Sequence, residues 1–215
     1  MPSFVPRIRR SLLPAWLLTS LAVVVPPTFA EAPVAYSVVP AKSSIRIHVG
    51  KSGPFAFAGH KHEVIAPVSG MVTADASKLA ASHVELTFLS QALSVSTEGE
   101  PEGDAAKVQD VMRGPKVLDA VAFPEIHFKT KTVSGQMTTA GHYDLTLVGE
   151  ISLHGLSQDF SVPVKVVIDG TKLTASGRLT LRQDQFGITP VTVAGGAVKV
   201  KNEVEIDFDI VAERR

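Results

Sequence analysis

From Tyr143 to Val211 apolar and polar residues alternate almost without interruption, and this pattern restricts the fold more than any motif does. Leu145, Leu147, Ile151 and Leu153 share one parity, and Phe160, Val162, Val164, Val166 and Ile168 share the next. Leu173, Ala175, Leu179 and Leu181 follow, then Val198, Val200, Val204, Ile206, Phe208 and Ile210. Glu150, Lys165, Arg178, Arg182, Glu205 and Asp209 occupy the opposite parity. A strand turns successive side chains to opposite faces, so a period of two gives one dry face and one wet face. Strands this one-sided suit an antiparallel sheet. Closing that sheet into a barrel would bury the dry faces together and remove the free edges.

Earlier in the chain the same reading predicts strands at Tyr36–Val39, Ser44–Val49, Val68–Ala74, His83–Ser90 and Glu125–Thr132. Phe55-Ala56-Phe57-Ala58 reads as a short strand or an apolar loop. Ser134-Gly135, Ala140-Gly141 and Asp169-Gly170 read as turns. Thr97 to Ala122 breaks the alternation. Asp104 is placed to cap a short helix, Ala105, Val108, Val111 and Met112 give it one apolar stripe, and Gly114-Pro115 ends it. The expected fold is all-β: an eight-stranded antiparallel barrel with one short helical insertion. Eight strands leave an interior just wide enough for packed side chains or one slender ligand. The insertion would either cover one end of the barrel or simply pack beneath a long loop.

The N-terminus has the layout of a secretory signal peptide: Arg7, Arg9 and Arg10, a mostly apolar core from Leu12 to Val25, and Thr28-Phe29-Ala30 before the cut. The apolar run contains Pro14 and falls short of the ~20 residues that span a bilayer, so no stable membrane anchor is expected. Residues 1–30 are therefore assigned as signal peptide and 31–215 as one domain, in the periplasm. Trp16 lies in the expected signal peptide, so the mature chain has no tryptophan. Without the three arginines the charges are 18 basic against 21 acidic. This balance argues against nucleic acid as the main partner. The chain has no cysteine, which removes thiolate catalysis, iron–sulfur clusters and disulfides.

Few residues carry recognisable chemistry. His60 and His62 stand two apart, so in an extended segment both imidazoles point the same way. Such a pair suits a shared zinc or copper ion, or hydrogen bonds to a ligand head group at a barrel mouth. A third metal ligand would have to come from His48, His83 or Glu63. His127 falls on the wet parity, and His154, just before Gly155, suits a turn. There is no Gly-x-Ser-x-Gly, no His-Glu-x-x-His and no phosphate-cradling loop, so no catalysis and no cofactor are expected. Phenylalanines dominate the aromatic content and suit either a filled core or an apolar ligand cavity.

Five segments, in order, resemble the YceI-like family. They are Tyr36-Ser37-Val38-Val39-Pro40-Ala41-Lys42-Ser43-Ser44-Ile45, Asp75-Ala76-Ser77-Lys78-Leu79 with Ser82-His83-Val84-Glu85, Phe123-Pro124-Glu125-Ile126-His127-Phe128-Lys129, Leu145 to Gly155, and Asp184-Gln185-Phe186-Gly187-Ile188. The resemblance implies an exported, lipocalin-like barrel that holds a polyisoprenoid or similar amphiphile, with its head group near one mouth. It implies binding rather than catalysis. Gly59-His60-Lys61-His62 departs from the common family pattern, and in the fifth segment Gln185 is inserted into or displaces the family's Asp-Phe-Gly-Ile loop. Inward parity nominates Phe55, Phe57, Leu86, Phe88, Phe128, Leu147, Val164 and Phe186 as ligand-binding residues, with His60 and His62 for a head group or metal. Two alternatives stand beside the carrier: a metal-binding protein or metal-dependent enzyme built on His60 and His62, and a filled, ligand-free stress-response or interaction protein. A two-fold homodimer is the base-rate expectation for its assembly.

Overall fold

The alternation becomes twelve strands and one α-helix among the described residues, which are 32–53, 61–99, 101–193, 195 and 198–215 of the computed structural model. The strands before the helix are β1 (Val34–Val38), β2 (Ser44–Ser52), β3 (His62–Ile65), β4 (Ser69–Ala74), β5 (His83–Leu89) and β6 (Ser94–Val95). Helix α1 is Asp104–Arg113. After it come β7 (Glu125–Thr139), β8 (His142–Leu153), β9 (Leu156–Asp169), β10 (Lys172–Arg182), β11 (Thr192–Val193) and β12 (Val198–Arg214).

Eight strands close a ring in the order β1–β4–β5–β7–β8–β9–β10–β12, with every pair antiparallel and β12 returning to β1. This is the expected eight-stranded barrel with one helical insertion. β12 forms the seam. One edge pairs β10, and the other pairs β2 as far as Asp209 and then β1 from Ala212. Between β1 and β2 the chain breaks away in a 3-10 turn, Pro40–Lys42. Ser43 bridges the break: its hydroxyl donates to the Val39 carbonyl at 2.9 Å and accepts from the Val211 N–H at 3.1 Å. The seam therefore keeps its backbone groups partnered where the ladder is interrupted. Short β3 and β6 branch from the other edge of β2.

Period two sets the core. Ile45, Val72, Leu86, Leu147, Val164, Leu173 and Ile210 are buried on the inner face, and their neighbours in sequence face water. Two local expectations are corrected. Ser134-Gly135 is not a turn: β7 runs through it, and the chain reverses at Ala140–Gly141. Gly135 has φ 137°, and a Cβ there would lie 2.2 Å from the Asp144 carbonyl oxygen, so glycine marks a close approach of β8. Asp104 does not cap α1. The cap position is Gly103, in the left-handed region, and Asp104 is the first helical residue, paired with Lys107 at 3.1 Å. Its charge still suits the helix N-terminus. Ala105, Val108 and Met112 pack on the core, whereas Val111 is turned aside and stays exposed.

Candidate functional site

The barrel is hollow. A cavity of about 280 Å³ is lined by inner-face side chains from every strand of the ring except β1. Its wall is almost wholly apolar, because the strands contribute their dry parity, with His127 of β7 as an exception. At one end, Met112 of α1 and Val117 and Leu118 of the following turns face the cavity. The helical insertion thus covers that end as a lid. At the other end Leu79 closes in from the 3-10 turn Leu79–Ala81, which joins β4 to β5.

The lid is fastened by polar contacts more than by burial, for no residue of α1 is fully buried. The Gln109 side chain accepts from Val95 N–H at 2.7 Å and donates to the Leu93 carbonyl at 2.8 Å. Arg113 donates to the same carbonyl at 2.9 Å. Behind the helix, Leu118 N–H bonds the Met112 carbonyl and Ala120 N–H bonds the Arg113 carbonyl, both at 3.0 Å.

Two inward glycines shape the wall. At Gly149 a Cβ would stand 2.5 Å from the Phe128 ring, and at Gly177 it would stand 2.6 Å from the Phe208 ring. Each ring lies over a missing side chain on the neighbouring strand, so two phenylalanines fit where a fuller strand would displace them.

The polar groups along the cavity are mostly engaged elsewhere. The Asp75 carboxylate accepts from Ser77 Oγ at 2.7 Å, Lys78 N–H at 2.8 Å and Ser77 N–H at 3.0 Å. These bonds, led by the Ser77 hydroxyl, hold its carboxyl below the ordinary value despite the opposing effect of burial. Ser82 Oγ accepts from Asp75 N–H, and Gln183 donates to the Lys201 carbonyl. His127 lies 3.2 Å from Glu125 and 3.3 Å from Thr87 Oγ1.

Of the nominated ligand-binding residues, Leu86, Phe88, Phe128, Leu147 and Val164 line the cavity. Phe186 is placed elsewhere: it is fully buried beside Phe160, ring centroids 6.1 Å apart, in a separate apolar cluster with Leu181, Ile188 and Val204. Phe55, Phe57 and His60 lie outside the described residues. His62 opens β3, opposite Val49 of β2. Among the described residues no group of three or more His, Asp or Glu side chains could hold a metal ion. His48 instead sits on the wet face, 3.0 Å from Asp207 and 3.7 Å from Glu63. Asp207 also pairs with Arg178, whose guanidinium is the main cause of a lowered Asp207 pKa. His154 takes a left-handed turn conformation, φ 52°, with Nδ1 3.1 Å from the Phe186 carbonyl. The lid residues Val117 and Leu118 escaped the sequence reading, because a turn after a helix has no period to mark its inward side.

Fold and site together define a closed, hollow, lidded antiparallel barrel. The chain belongs to the YceI-like domain family, whose match spans residues 36–212. It is similar to the crystal structure of Burkholderia cenocepacia BcnA, with 21% identity, TM-score 0.63, and coverage of 81% of this chain and 98% of that one. It is also similar to a polyisoprenoid binding domain from Saccharophagus degradans implicated in plant cell wall breakdown. There the identity is 14%, the TM-score 0.58, and the coverage 85% and 99%. At these identities the likeness shows the fold. No curated protein sequence matches the chain.

Proposed function

We propose that this protein is an exported carrier that encloses the apolar tail of an isoprenoid or similar long-chain amphiphile. The observation that carries this reading is the apolar cavity, walled by the ring and covered at one end by the helical lid. Membership of the family and the fold of the polyisoprenoid binding domain support it. Burial drives binding at roughly 0.8 kcal/mol per CH₂, before the cost of ordering the tail. Inward residues of β8 from Tyr143 to Leu153 mark the cavity length. At ~3.3 Å per residue and a strand tilt of about 40°, that stretch gives roughly 25 Å along the barrel axis. A tail of that length lies extended, and a longer one folds back or protrudes. We also propose that residues 1–30 direct export to the periplasm and that the mature chain begins at Glu31.

Native mass spectrometry of protein purified from the periplasm, followed by organic extraction, tests the reading. The expected result is a chain mass starting at Glu31 with a stoichiometric lipid adduct. An adduct with isoprene-unit spacing in the extract would specify a polyisoprenoid. A bare mass from gently handled, folded protein would overturn the carrier reading.

A further inference from the structure

The ladder between β9 and β10 stops part-way along the wall. It runs from Lys172↔Asp169 to Gly177↔Val164. Beyond that point no ladder pair joins residues 156–163 of β9 to residues 178–182 of β10, although β9 stays paired with β8 and β10 with β12. Pro163 accounts for the stop. Its carbonyl oxygen faces β10, where a Cβ on Gly177 would meet it at 2.5 Å. In an antiparallel strand the N–H and C=O of one residue point to the same edge, so the N–H that proline lacks is one β10 would have used. The space between the two strands is filled by the segment that follows β10: the 3-10 turn Gln183–Phe186, then Gly187 and Ile188. Phe186 is fully buried there and stacks on Phe160 of β9. Gln183 and Ile188 line the cavity from this side, beside Leu179 and Leu181 of β10 and Val162 of β9. A stopper of side chains thus stands where ladder hydrogen bonds would otherwise close the wall.

Building on the carrier reading, we propose that this stretch is a side entrance to the chamber: the turn carrying Phe186 swings away from β9 and admits the ligand's tail between β9 and β10. Three features favour that motion. Parting the strands here breaks no ladder bond, whereas parting them between Lys172 and Gly177 would. The turn is also fastened chiefly on one side. It is held to β10 and β12 by Arg182 N–H to Gln185 Oε1 at 3.1 Å, Asp184 N–H to Asn202 Oδ1 at 3.0 Å, Gln183 Nε2 to the Lys201 carbonyl at 2.7 Å and the Arg182–Asp184 ion pair at 2.6 Å. On the β9 side it has Gln158 Nε2 donating to the Gln185 carbonyl and His154 Nδ1 against the Phe186 carbonyl, both at 3.1 Å. Third, Gly187 has φ 70° where the segment leaves the turn, a hinge that only a glycine takes without strain. Leu181, Ile188 and Phe160 surround Phe186, so an apolar tail replaces the contacts that the ring gives up.

The test follows uptake and release of the neutral fluorophore N-phenyl-1-naphthylamine by stopped flow on the delipidated mature protein. The chain has no cysteine, so Gln158→Cys with Gln185→Cys supplies its only thiols, and a short bis-maleimide joins them. The link ties the turn to β9. It should slow uptake and release together by about tenfold or more, relative to the same variant with each thiol capped singly. The dissociation constant should not change, because a gate alters a barrier and not the two states it separates. Phe186→Leu, which thins the stopper, should speed both rates severalfold by a common factor. A merely structural role for Phe186 would lower thermal stability and leave the rates alone. Unslowed exchange in the fully linked protein would overturn the entrance and leave the carrier reading standing, and this arm leaves the apolar core intact. Unchanged rates in folded Phe186→Leu would overturn it too. Failure of wild type to bind the fluorophore would overturn the carrier reading and this inference together.

Discussion

At the scale of single residues, the wall depends on what is missing as much as on what is present. Gly177 lies directly opposite Phe208 across the β10–β12 ladder, and the ring and the Pro163 carbonyl oxygen together occupy the space a Cβ would need. Gly177→Ala should push Phe208 off its seat and destabilise the barrel by about 1–3 kcal/mol, as overpacking does. Urea unfolding measures this, and adding Phe208→Leu to the same chain should recover part of the loss. On the outer face, Arg178 beside Asp207 lowers the carboxyl's pKa. A depressed carboxylate stabilises the folded state above its unfolded pKa of about 3.9, and that contribution disappears as pH falls through the folded value. Carboxyl-detected NMR should show Asp207 titrating below the ordinary range, and Arg178→Met should move its midpoint upward. An unmoved midpoint would contradict the assignment. The inward face of Gly177 was legible as parity, but its role was not, since a glycine carries no sign of the ring that covers it.

At the scale of elements, the lid joins the interior wall through side-chain hydrogen bonds more than through full burial. α1 contributes Met112 to the cavity but buries no residue fully, and Gln109 ties it to the stretch around β6 with two hydrogen bonds. Gln109→Ala leaves Val95 N–H without its partner, at a cost of about 1–3 kcal/mol if that group stays buried, while the Leu93 carbonyl keeps its bond from Arg113. Hydrogen exchange should therefore accelerate across Asp104–Arg113 and Ser94–Val95, while β8 and β9 keep their protection. Acceleration spread evenly through the barrel would mean that the lid and ring open as one unit. The helix itself was readable from the spacing of Ala105, Val108 and Met112. Its start was misplaced by one residue because Asp104 has the chemistry of a cap, whereas Gly103 holds the position by backbone conformation alone. Gly135 misled in the opposite direction: a glycine that admits a neighbouring strand has the same letter as one that turns the chain.

At the scale of the whole molecule, closure and hollowness come from different sources. Closure follows from long one-sided strands, and these were visible from Tyr143 onward. Hollowness depends on the volume left after every inward side chain has been placed, which no periodicity reports. Phe186 illustrates the gap: it has the composition of a cavity residue, yet it lies in the packed cluster beside Phe160. A ligand that fills the cavity binds only the closed barrel, so it must stabilise the whole fold. At one hundred times its dissociation constant the stabilisation is about 2.7 kcal/mol. For a domain of this length each kcal/mol raises Tm by roughly 2–4 °C, so saturation should raise it by about 5–10 °C. Leu147→Trp places a bulky ring at a lining position and should abolish this shift while the ligand-free barrel still unfolds in one cooperative transition. The variant also introduces a tryptophan into a mature chain that otherwise lacks one if export removes residues 1–30, so its fluorescence reports whether the site is dry. A full ligand-induced shift in folded Leu147→Trp would mean that the tail bypasses the centre of the barrel. The cavity would then be a consequence of how the wall packs, with the ligand bound on another surface.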